Sequence, residues 1–393
     1  MTVRLYELDA YLRCFDARVL RCERCRQGWE VVLDRTAFYP EGGGQPGDTG
    51  LLGDTRVLDT HIRDGEVIHL CAAPLAAGAR TEGRIDWERR FDLMCQHSGE
   101  HIVSGLICAR FGCDNVGFHL GSEEVVIDFN RPVTPAALAE VELAANRCIW
   151  ENRPFLISHP DPEALAALDY RSKKELHGDV RIVECPGADR CACCGTHVRS
   201  AGELGLIKLT SVRPLRDGSR ITLLAGRRAY DYVCMMTEQN HRVSVLTSAR
   251  PEETSAAVER VQGELAAARY RCVGLENRLF AQTAAAAAGK GDQLLFAQDL
   301  TPDALRRLCE AVAGRCGGLC AVFCGSDSDG YQYALGRPGA DLRPLLRELN
   351  TALRGRGGGR HPDLAQGSVR ASREEILAFF PEIPADTAAP AVL

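Results

Sequence analysis

The sequence predicts a mixed α+β protein built from several domains. Its 393 residues, 45% of them hydrophobic and 25% charged, can fill more than one core. Short alternating segments bounded by turn residues occupy the N-terminal part, whereas long helical patterns with interspersed strands follow. We therefore predict a small β-rich, barrel-like domain over 1–90, an α+β domain over 91–235, a helical arm over 236–289 and a glycine-rich α/β domain over 290–393.

The strands of the N-terminal domain are predicted from VVLDRTAFYP and GLLGDTRVLDTHIRDGEVIHL, which are rich in β-branched residues and bounded by Gly, Pro and Asp. A helix is predicted from Trp87 because apolar residues recur at helical spacing until Gly112 can end it. The strand EEVVIDFN and a second, Ala-rich helix in PVTPAALAEVELAANRCIWENR follow. Further strands in VRIVECP, GLIKLTSV and SRITLLAG complete the α+β domain.

The helical arm is predicted from the helix-forming segment EETSAAVERVQGELAAARYRCVGLENRLFAQTAAAAAG. Its apolar residues form one stripe, made by Val258, Val261, Leu265, Leu275 and Leu279. Such a stripe has to be buried, so either a second helix folds back on it or another chain packs there. A homodimer through the arm or the C-terminal domain is therefore a candidate assembly.

Charge and composition exclude some classes of protein. A formal net charge of -6 and a pI of about 6.0 argue against a protein that coats nucleic acid through one strong positive field, so any RNA contact is expected to be local. The N-terminal segment lacks the pattern of a secretory signal, and no apolar run approaches a membrane span. We expect a cytoplasmic protein in which most of the 18 cysteines are reduced and buried.

Two residue pairs predict a metal site. His97 and His101 stand four residues apart in a predicted helix, which puts both imidazoles on one face. Cys193 and His197 repeat the same offset, and one thiolate with three imidazoles suits Zn²⁺ better than Mg²⁺ or Ca²⁺.

Three alternatives remain at this site. Four protein ligands would close a tetrahedron and make the zinc structural, so catalysis requires that one ligand, His197 first, be displaced or that the coordination expand. Cys191 and Cys194 could compete with Cys193 for the ion. The Cys193 thiol is also a candidate nucleophile, although a labile ester and the neighbouring histidine favour ligation.

Several motifs resemble a known family in the order in which that family carries them. These segments are TAFYPEGGGQPGDTG (36–50), QHSGEHIVSGL (96–106), VGFHLGSE (116–123), RIVECPG with CCGTHV (181–198) and GGGRHPDLAQG (357–367). In these segments the chain resembles the alanyl-tRNA editing proteins of the AlaX type, in their long form, and the editing and C-terminal domains of alanyl-tRNA synthetase.

The resemblance implies a trans-editing hydrolase. Its expected substrate is the ester that joins serine to tRNA(Ala), with glycine as the second candidate amino acid. The resemblance carries the zinc ligands onto His97, His101, Cys193 and His197, and it makes 91–235 the editing domain. The alternative is a zinc-stabilised RNA-binding module without catalysis. A full synthetase is not expected, because only the β-rich domain precedes the editing region.

The hydrolase interpretation needs a substrate pocket. The glycine segment before Gln45 offers backbone N–H groups, those of Gly43 and Gly44 among them, to the terminal adenosine or to an oxyanion. Selecting serine over alanine needs a polar group that pairs with the serine hydroxyl. The candidates are Thr36, Gln45, His119 and Thr196, with His119 the first to test.

A local basic patch predicts RNA contact near the C terminus. The window 353–373 contains Arg354, Arg356, Arg360, Arg370 and Arg373, with Asp363 as its only acid. Exposed glycine backbone and arginine forks suit phosphate, whereas the alternative is a flexible solvated loop. The resemblance identifies 290–393 with the DHHA1-like domain shared by alanyl-tRNA synthetases and a phosphoesterase family. It thereby implies RNA-binding residues at Arg354, Arg356, Arg360 and Gln366.

Overall fold

The computed structural model describes residues 2–172, 180–383 and 385–386. The chain forms two compact units, Met1–His241 and Arg242–Leu393. Helices and several separate sheets occur together, so the predicted mixed α+β class is confirmed. The four-domain division and its boundaries stay a prediction. None of the helices in the described part of the chain is long and apolar enough to cross a membrane.

The N-terminal part of the first unit is a β-barrel. Six strands close in the order β2-β3-β7-β6-β5-β8, and every neighbouring pair is antiparallel. Alternate side chains of these strands fill the interior, as the alternation in the sequence predicts. The elements are β1 (Val3–Arg4), α1 (Leu5–Leu8), β2 (Cys14–Cys25), β3 (Gly28–Leu33), β4 (Arg35–Thr36), β5 (Gly50–Leu52), β6 (Thr55–Arg63), β7 (Glu66–Cys71) and β8 (Arg80–Ile85).

A long buried helix connects the barrel to the rest of this unit. It is α2 (Trp87–Phe111), whose N-cap Asp86 accepts a hydrogen bond from Arg89 N and whose C-cap Gly112 has a left-handed φ of 57°. Both ends lie where the sequence predicts them. Arg90 on α2 is fully buried and forms an ion pair with Asp48 of the barrel domain, so the helix is anchored to the loop that precedes β5.

The helices α2 and α3 pack on a four-stranded antiparallel sheet of order β14-β15-β10-β9. The predicted second helix forms with Thr134 as its N-cap and Pro at its first turn. A three-stranded sheet of order β11-β12-β13 lies against α2. The elements are β9 (Asn115–Leu120), β10 (Val125–Phe129), α3 (Pro135–Trp150), β11 (Leu156–Ser158), α4 (Pro162–Ala166), β12 (Ile182–Cys185), β13 (Asp189–Ala192), β14 (Ile207–Leu215) and β15 (Gly218–Ala225).

The region of the predicted arm is helical. The first helix, α5 (Gly226–Thr247), begins before residue 236, directly after β15. The second, α6 (Thr254–Ala286), contains the predicted apolar stripe. Stripe residues Val258, Val261, Leu265 and Leu275 are between 38% and 55% exposed, so this helix leaves much of the stripe uncovered within its own unit.

The second unit contains a six-stranded mixed sheet of order β19-β20-β18-β17-β16-β21. The glycine-rich window does not form a solvated loop, because residues 356–361 pair antiparallel with β20 and become the edge strand β19. The elements are β16 (Gly291–Ala297), α7 (Pro302–Cys316), β17 (Gly317–Ser326), β18 (Gly330–Gly336), α8 (Arg343–Ala352), β19 (Arg356–His361), β20 (Leu364–Val369), α9 (Arg373–Phe379) and β21 (Ala385–Asp386).

Candidate metal centre

The helix α2 supplies the first two side chains of a His/Cys cluster. His97 and His101 lie one turn apart and are only 2% and 3% exposed. The middle of α2 is buried on all sides, so both imidazoles leave water when the helix packs.

The loop after β13 supplies the other two side chains. Cys193 directly follows the strand, and His197 lies four residues further on. Gly195 lets this loop approach α2, because a Cβ there would lie 2.2 Å from Cε1 of His97. Arg181 donates to the carbonyl oxygens of Cys193 and Gly195 at 2.7 and 2.9 Å, which fixes the backbone of the loop.

The structure brings the four predicted ligands together. His97, His101, Cys193 and His197 each offer a ligand atom, and these atoms all lie within 4.8 Å of one another. The Sγ atom of Cys193 is 3.4 Å from Nε2 of His97 and 3.4 Å from Nε2 of His197. This cluster can hold a metal ion.

Each histidine has a polar partner for its other ring nitrogen. Nδ1 of His97 is 2.9 Å from Oε1 of Gln45, and Nδ1 of His101 is 2.8 Å from Oδ2 of Asp189. Nδ1 of His197 is 3.3 Å from the Ser98 hydroxyl. Metal-binding histidines usually use one ring nitrogen for such a partner and the other for the ion, so the partners orient Nε2 toward the cluster.

The electrostatics of the cluster favour a thiolate. Burial opposes ionisation of Cys193, but the three neighbouring imidazoles dominate and hold the pKa of this thiol well below its ordinary value. Burial lowers the pKa of His101, yet Cys193 and Asp189 together raise it well above its ordinary value. Burial and His97 lower the pKa of His197 to about 3. A cation that entered would replace the proton that balances the thiolate.

Two aromatic rings pack against histidines of the cluster. Phe118 on β9 stacks on His97 with ring centroids 5.4 Å apart, and Phe155 stacks on His197 at 5.9 Å. Both rings cover one face of an imidazole with apolar surface. Cys193, by contrast, is partly exposed.

The glycine segment forms a tight turn beside the cluster. Gly42 and Gln45 exchange both backbone hydrogen bonds, at 3.1 and 3.0 Å, while Gly43 and Gly44 have φ of 59° and 84°. A Cβ on Gly44 would lie 2.5 Å from the Phe118 ring. Within the described residues, the N–H groups of Gly43 and Gly44 have no hydrogen-bond acceptor.

The pocket candidates occupy different places. Nε2 of Gln45 donates to Oγ1 of Thr196 at 2.8 Å, and Oε1 of Gln45 accepts from the backbone N–H of Thr196. Both residues therefore lie next to the His/Cys cluster. Thr36 contacts His69 in the barrel domain instead, at 2.8 Å. His119 is exposed and neighbours Phe118 on β9, so its side chain lies on the opposite face of the strand from the ring that stacks on His97.

The predicted RNA-binding residues of the second unit differ in their bonding. Arg354 forms an ion pair with Glu375, and Gln366 donates to the carbonyl of Pro302 at 2.8 Å. Arg356 and Arg360 lie on the edge strand β19 and are exposed.

Sequence reasoning missed the residues that hold the ligands in place. Asp189 directly follows the CPGA segment, and Ser98 lies inside the QHSGEH motif, so both were within reach of a motif-based prediction. Arg171 donates to both carboxylate oxygens of Asp189 at 2.7 and 2.9 Å, but no sequence signal identifies it.

Two family models match the first unit. The model described as the threonyl and alanyl tRNA synthetase second additional domain matches residues 180–222, which include Cys193 and His197. The model described as tRNA synthetases class II (A) matches residues 15–89, in the barrel domain.

Comparison with relatives that align over two thirds or more of their length identifies the family. The alanyl-tRNA editing protein Aarsd1 of Rattus norvegicus is 31% identical over an alignment of 276 residues that covers 66% of this chain and 67% of the relative. The chain belongs to the alanyl-tRNA editing protein family. Another alanyl-tRNA editing protein, AlaX-L of Pyrococcus horikoshii, is 29% identical over 410 residues and matches 96% of this chain and 97% of its own length. The resemblance inferred from the motifs is therefore confirmed.

The same comparison connects the editing-protein family to a larger enzyme. The alanine–tRNA ligase of Ignicoccus hospitalis is 31% identical over an alignment of 374 residues that covers 91% of this chain. The chain spans only 40% of that ligase, so the likeness concerns part of the ligase.

Proposed function

We propose that this chain is a zinc-dependent trans-editing deacylase that hydrolyses the ester between serine and tRNA(Ala), with the glycyl ester as a second substrate. The observation that carries the proposal is the His/Cys cluster, in a chain whose relatives are alanyl-tRNA editing proteins. The same proposal places the protein in the cytoplasm, where its tRNA substrate would be.

The donor atoms fit zinc. Tetrahedral zinc with nitrogen and sulfur ligands would separate N and S by about 3.6 Å. The separations of Cys193 Sγ from the Nε2 atoms of His97 and His197 are both 3.4 Å. Cys193, His97, His101 and His197 would hold the ion, and zinc when bound supplies Lewis-acid chemistry.

His197 has the weakest support among the three histidines. Its Nδ1 faces a neutral hydroxyl at 3.3 Å, whereas His101 faces a carboxylate at 2.8 Å and His97 an amide oxygen at 2.9 Å. His197 would therefore be the least firmly oriented of the three histidines that would hold the ion, and it is the ligand we would expect to yield first if the substrate needed an open position.

The chain's own groups position the ester. Water adds to the carbonyl carbon, the bond to the terminal ribose oxygen breaks, and the products are the free amino acid and tRNA with its terminal hydroxyl restored. Negative charge develops on the carbonyl oxygen during addition, and we propose as its donors the N–H groups of Gly43 and Gly44, which have no acceptor among the described residues. The turn fixes these donors in advance, so they need not reorganise during the reaction.

We assign serine selection to Thr196. Its Oγ1 accepts from Gln45, and within the described residues its hydroxyl hydrogen has no acceptor, so it can donate to the serine hydroxyl. The Gln45 amide is already engaged by His97 and Thr196. The Thr36 hydroxyl is hydrogen-bonded to His69. Gln45 and Thr36 are therefore less suitable than Thr196 as partners of the serine hydroxyl. Alanine would leave the Thr196 donor unpaired in a buried site, because its methyl group fills the position of the serine hydroxyl, whereas glycine leaves that position open to a water molecule.

The experiment compares Ser-tRNA(Ala), Gly-tRNA(Ala) and Ala-tRNA(Ala) as substrates for the purified protein. We expect loss of the seryl and glycyl esters, little loss of the alanyl ester, inhibition by a chelator and recovery after zinc is added back. Zinc content is measured on the same samples. Binding of tRNA without selective hydrolysis would contradict the deacylase and favour the zinc-stabilised RNA-binding module. A zinc ion whose four coordination positions are all filled by protein ligands would suit such a structural role.

A further inference from the structure

The loop 39–48 carries the turn of Gly43 and Gly44, and its two ends are bonded to each other. Tyr39 N donates to Oδ2 of Asp48 at 2.6 Å, and Asp48 N donates to the carbonyl oxygen of Tyr39 at 2.9 Å. Both residues are buried. The loop therefore begins and ends at one fixed point inside the unit.

The helix that carries the metal-cluster histidines holds these loop ends. Arg90 of α2 is fully buried, and its Nε donates to both carboxylate oxygens of Asp48 at 2.9 Å. Its Nη1 and Nη2 groups donate to the carbonyl oxygens of Ala10 and Ala37 at 2.9 and 2.6 Å. Separating a buried ion pair leaves an uncompensated charge, so the loop ends stay attached to α2.

The same face of α2 also holds the loop beside the turn. His97 follows Arg90 by seven residues, which is about two helical turns, so both side chains lie on one face. Nδ1 of His97 is 2.9 Å from Oε1 of Gln45, the residue that follows the turn. The position of the turn relative to the cluster is thus set by two contacts with one rigid helix.

The Tyr39 hydroxyl acts on the turn directly. It donates to the carbonyl oxygen of Gly42 at 2.9 Å, and Gln45 N donates to the same oxygen at 3.0 Å. The carbonyl of Gly42 and the N–H of Gly43 belong to one planar peptide unit and point in opposite directions. Bonds to this carbonyl therefore fix the direction of the Gly43 N–H, and they polarise it into a stronger donor.

We propose that Tyr39 is a positioning residue of the deacylation, which orients and strengthens the Gly43 N–H donor through the Gly42 peptide unit. This assignment rests on the oxyanion role proposed above for Gly43 and Gly44. Asp48 acts one step further back, by keeping Tyr39 at a fixed distance from α2. The donor is therefore aligned before the ester arrives, and its contribution is made in the transition state.

The experiment compares Tyr39→Phe with a matched control. Tyr39→Phe removes the hydroxyl and keeps the ring that packs edge-on against Tyr6. The control is Tyr11→Phe, because the Tyr11 hydroxyl also donates a hydrogen bond within this unit, to Oε2 of Glu203 at 2.6 Å. Single-turnover hydrolysis of Ser-tRNA(Ala) by the full chain gives the rate of the chemical step and the apparent affinity for the substrate. Zinc content is measured on the same samples.

We expect Tyr39→Phe to slow the chemical step by about 10- to 100-fold, with zinc retained and substrate affinity within about threefold of the wild type. Tyr11→Phe should change the rate by less than about twofold, because its hydroxyl does not contact the turn. Asp48→Asn should also slow the chemical step with zinc retained, since His97 keeps its contact with Gln45. If Asp48→Asn does not fold, Tyr39→Phe decides alone.

Equal rates in Tyr39→Phe and Tyr11→Phe overturn the assignment when the wild type hydrolyses the ester, and they leave the deacylase intact. A slower Tyr39→Phe that has lost zinc or substrate affinity to the same extent also overturns it, because the hydroxyl would then only support the fold. A wild-type protein that hydrolyses no seryl ester contradicts the deacylase and this assignment together.

Discussion

Nδ1 of His101 lies 2.8 Å from Oδ2 of Asp189, and both side chains are almost fully buried. Arg171 holds the same carboxylate from the other side, so the acceptor is fixed before any ion arrives. Arg171, Asp189 and His101 form a chain of hydrogen bonds that orients the His101 imidazole toward the cluster.

Asp189→Asn is therefore expected to lower zinc affinity by about 10- to 100-fold while all four ligands remain. The amide is nearly isosteric, but it removes the charge that strengthens His101 as a ligand. Competition with a chromophoric chelator measures the affinity. Asp128→Asn is the matched control, because Asp128 pairs with Arg220 on a different sheet of the same unit. Equal zinc affinity of the two variants would show that Asp189 does not act through His101.

Gln45 connects His97 to Thr196, and its side chain is fully buried. Gln45→Met is expected to weaken zinc binding by about tenfold or more, because it leaves His97 Nδ1 without its acceptor. Gln45→Glu keeps an oxygen facing His97 and should retain zinc within a few-fold of the wild type. The same chelator competition reports both values. Identical losses in the two variants would mean that the side chain matters only for packing.

Thr196→Val and His119→Ala separate two assignments of serine selection. The sequence favours His119, whereas the geometry favours Thr196, which contacts Gln45 beside the cluster. We expect Thr196→Val to lower the seryl-to-alanyl ratio of kcat/KM by about tenfold or more with zinc retained. His119→Ala should leave this ratio close to that of the wild type. A fall in this ratio that occurs only in His119→Ala would assign serine selection to His119 instead.

His69 predicts a pH dependence of the stability of the barrel domain. Burial lowers its pKa from 6.5 to about 4, so the folded state favours the neutral imidazole that bonds Val31 O through Nδ1. The resulting stability is complete above pH 6.5 and is lost as the pH falls toward 4. Between pH 7 and pH 5 this group should remove about 2 kcal/mol of unfolding free energy.

Urea unfolding, followed by tryptophan fluorescence, measures this loss, since Trp29, Trp87 and Trp150 all lie in the first unit. His69→Gln should show a shallower dependence on pH, whatever its absolute stability. His119→Gln, at an exposed histidine outside the barrel strands, is the control and should keep the wild-type slope. Equal slopes in both variants would show that His69 does not titrate as proposed.

The sequence predicts the ligands better than their surroundings. His97 with His101, and Cys193 with His197, are local pairs whose spacing alone suggests a shared ion. The partners of the histidines come from distant positions: Gln45 is 52 residues from His97, and Asp189 is 88 residues from His101. Contacts at such separation depend on how α2 packs against the barrel and the β13 loop, which no local pattern encodes.

His119 illustrates a second limit. Its motif lies on a strand next to the cluster, as the motif order suggests, but adjacent residues of a strand face opposite sides. Phe118 therefore faces His97 while His119 is exposed. The glycine-rich window at β19 illustrates a third limit, because pairing with β20 overrides the low strand propensity of glycine.

The most direct test of the central claim compares Cys193→Ala with Cys194→Ala. Cys193 belongs to the four-residue cluster, whereas the exposed Cys194 lies outside it. Zinc content and hydrolysis of Ser-tRNA(Ala) are measured on the same preparations. We predict that Cys193→Ala loses both and Cys194→Ala keeps both. Normal zinc and hydrolysis in Cys193→Ala would contradict the account.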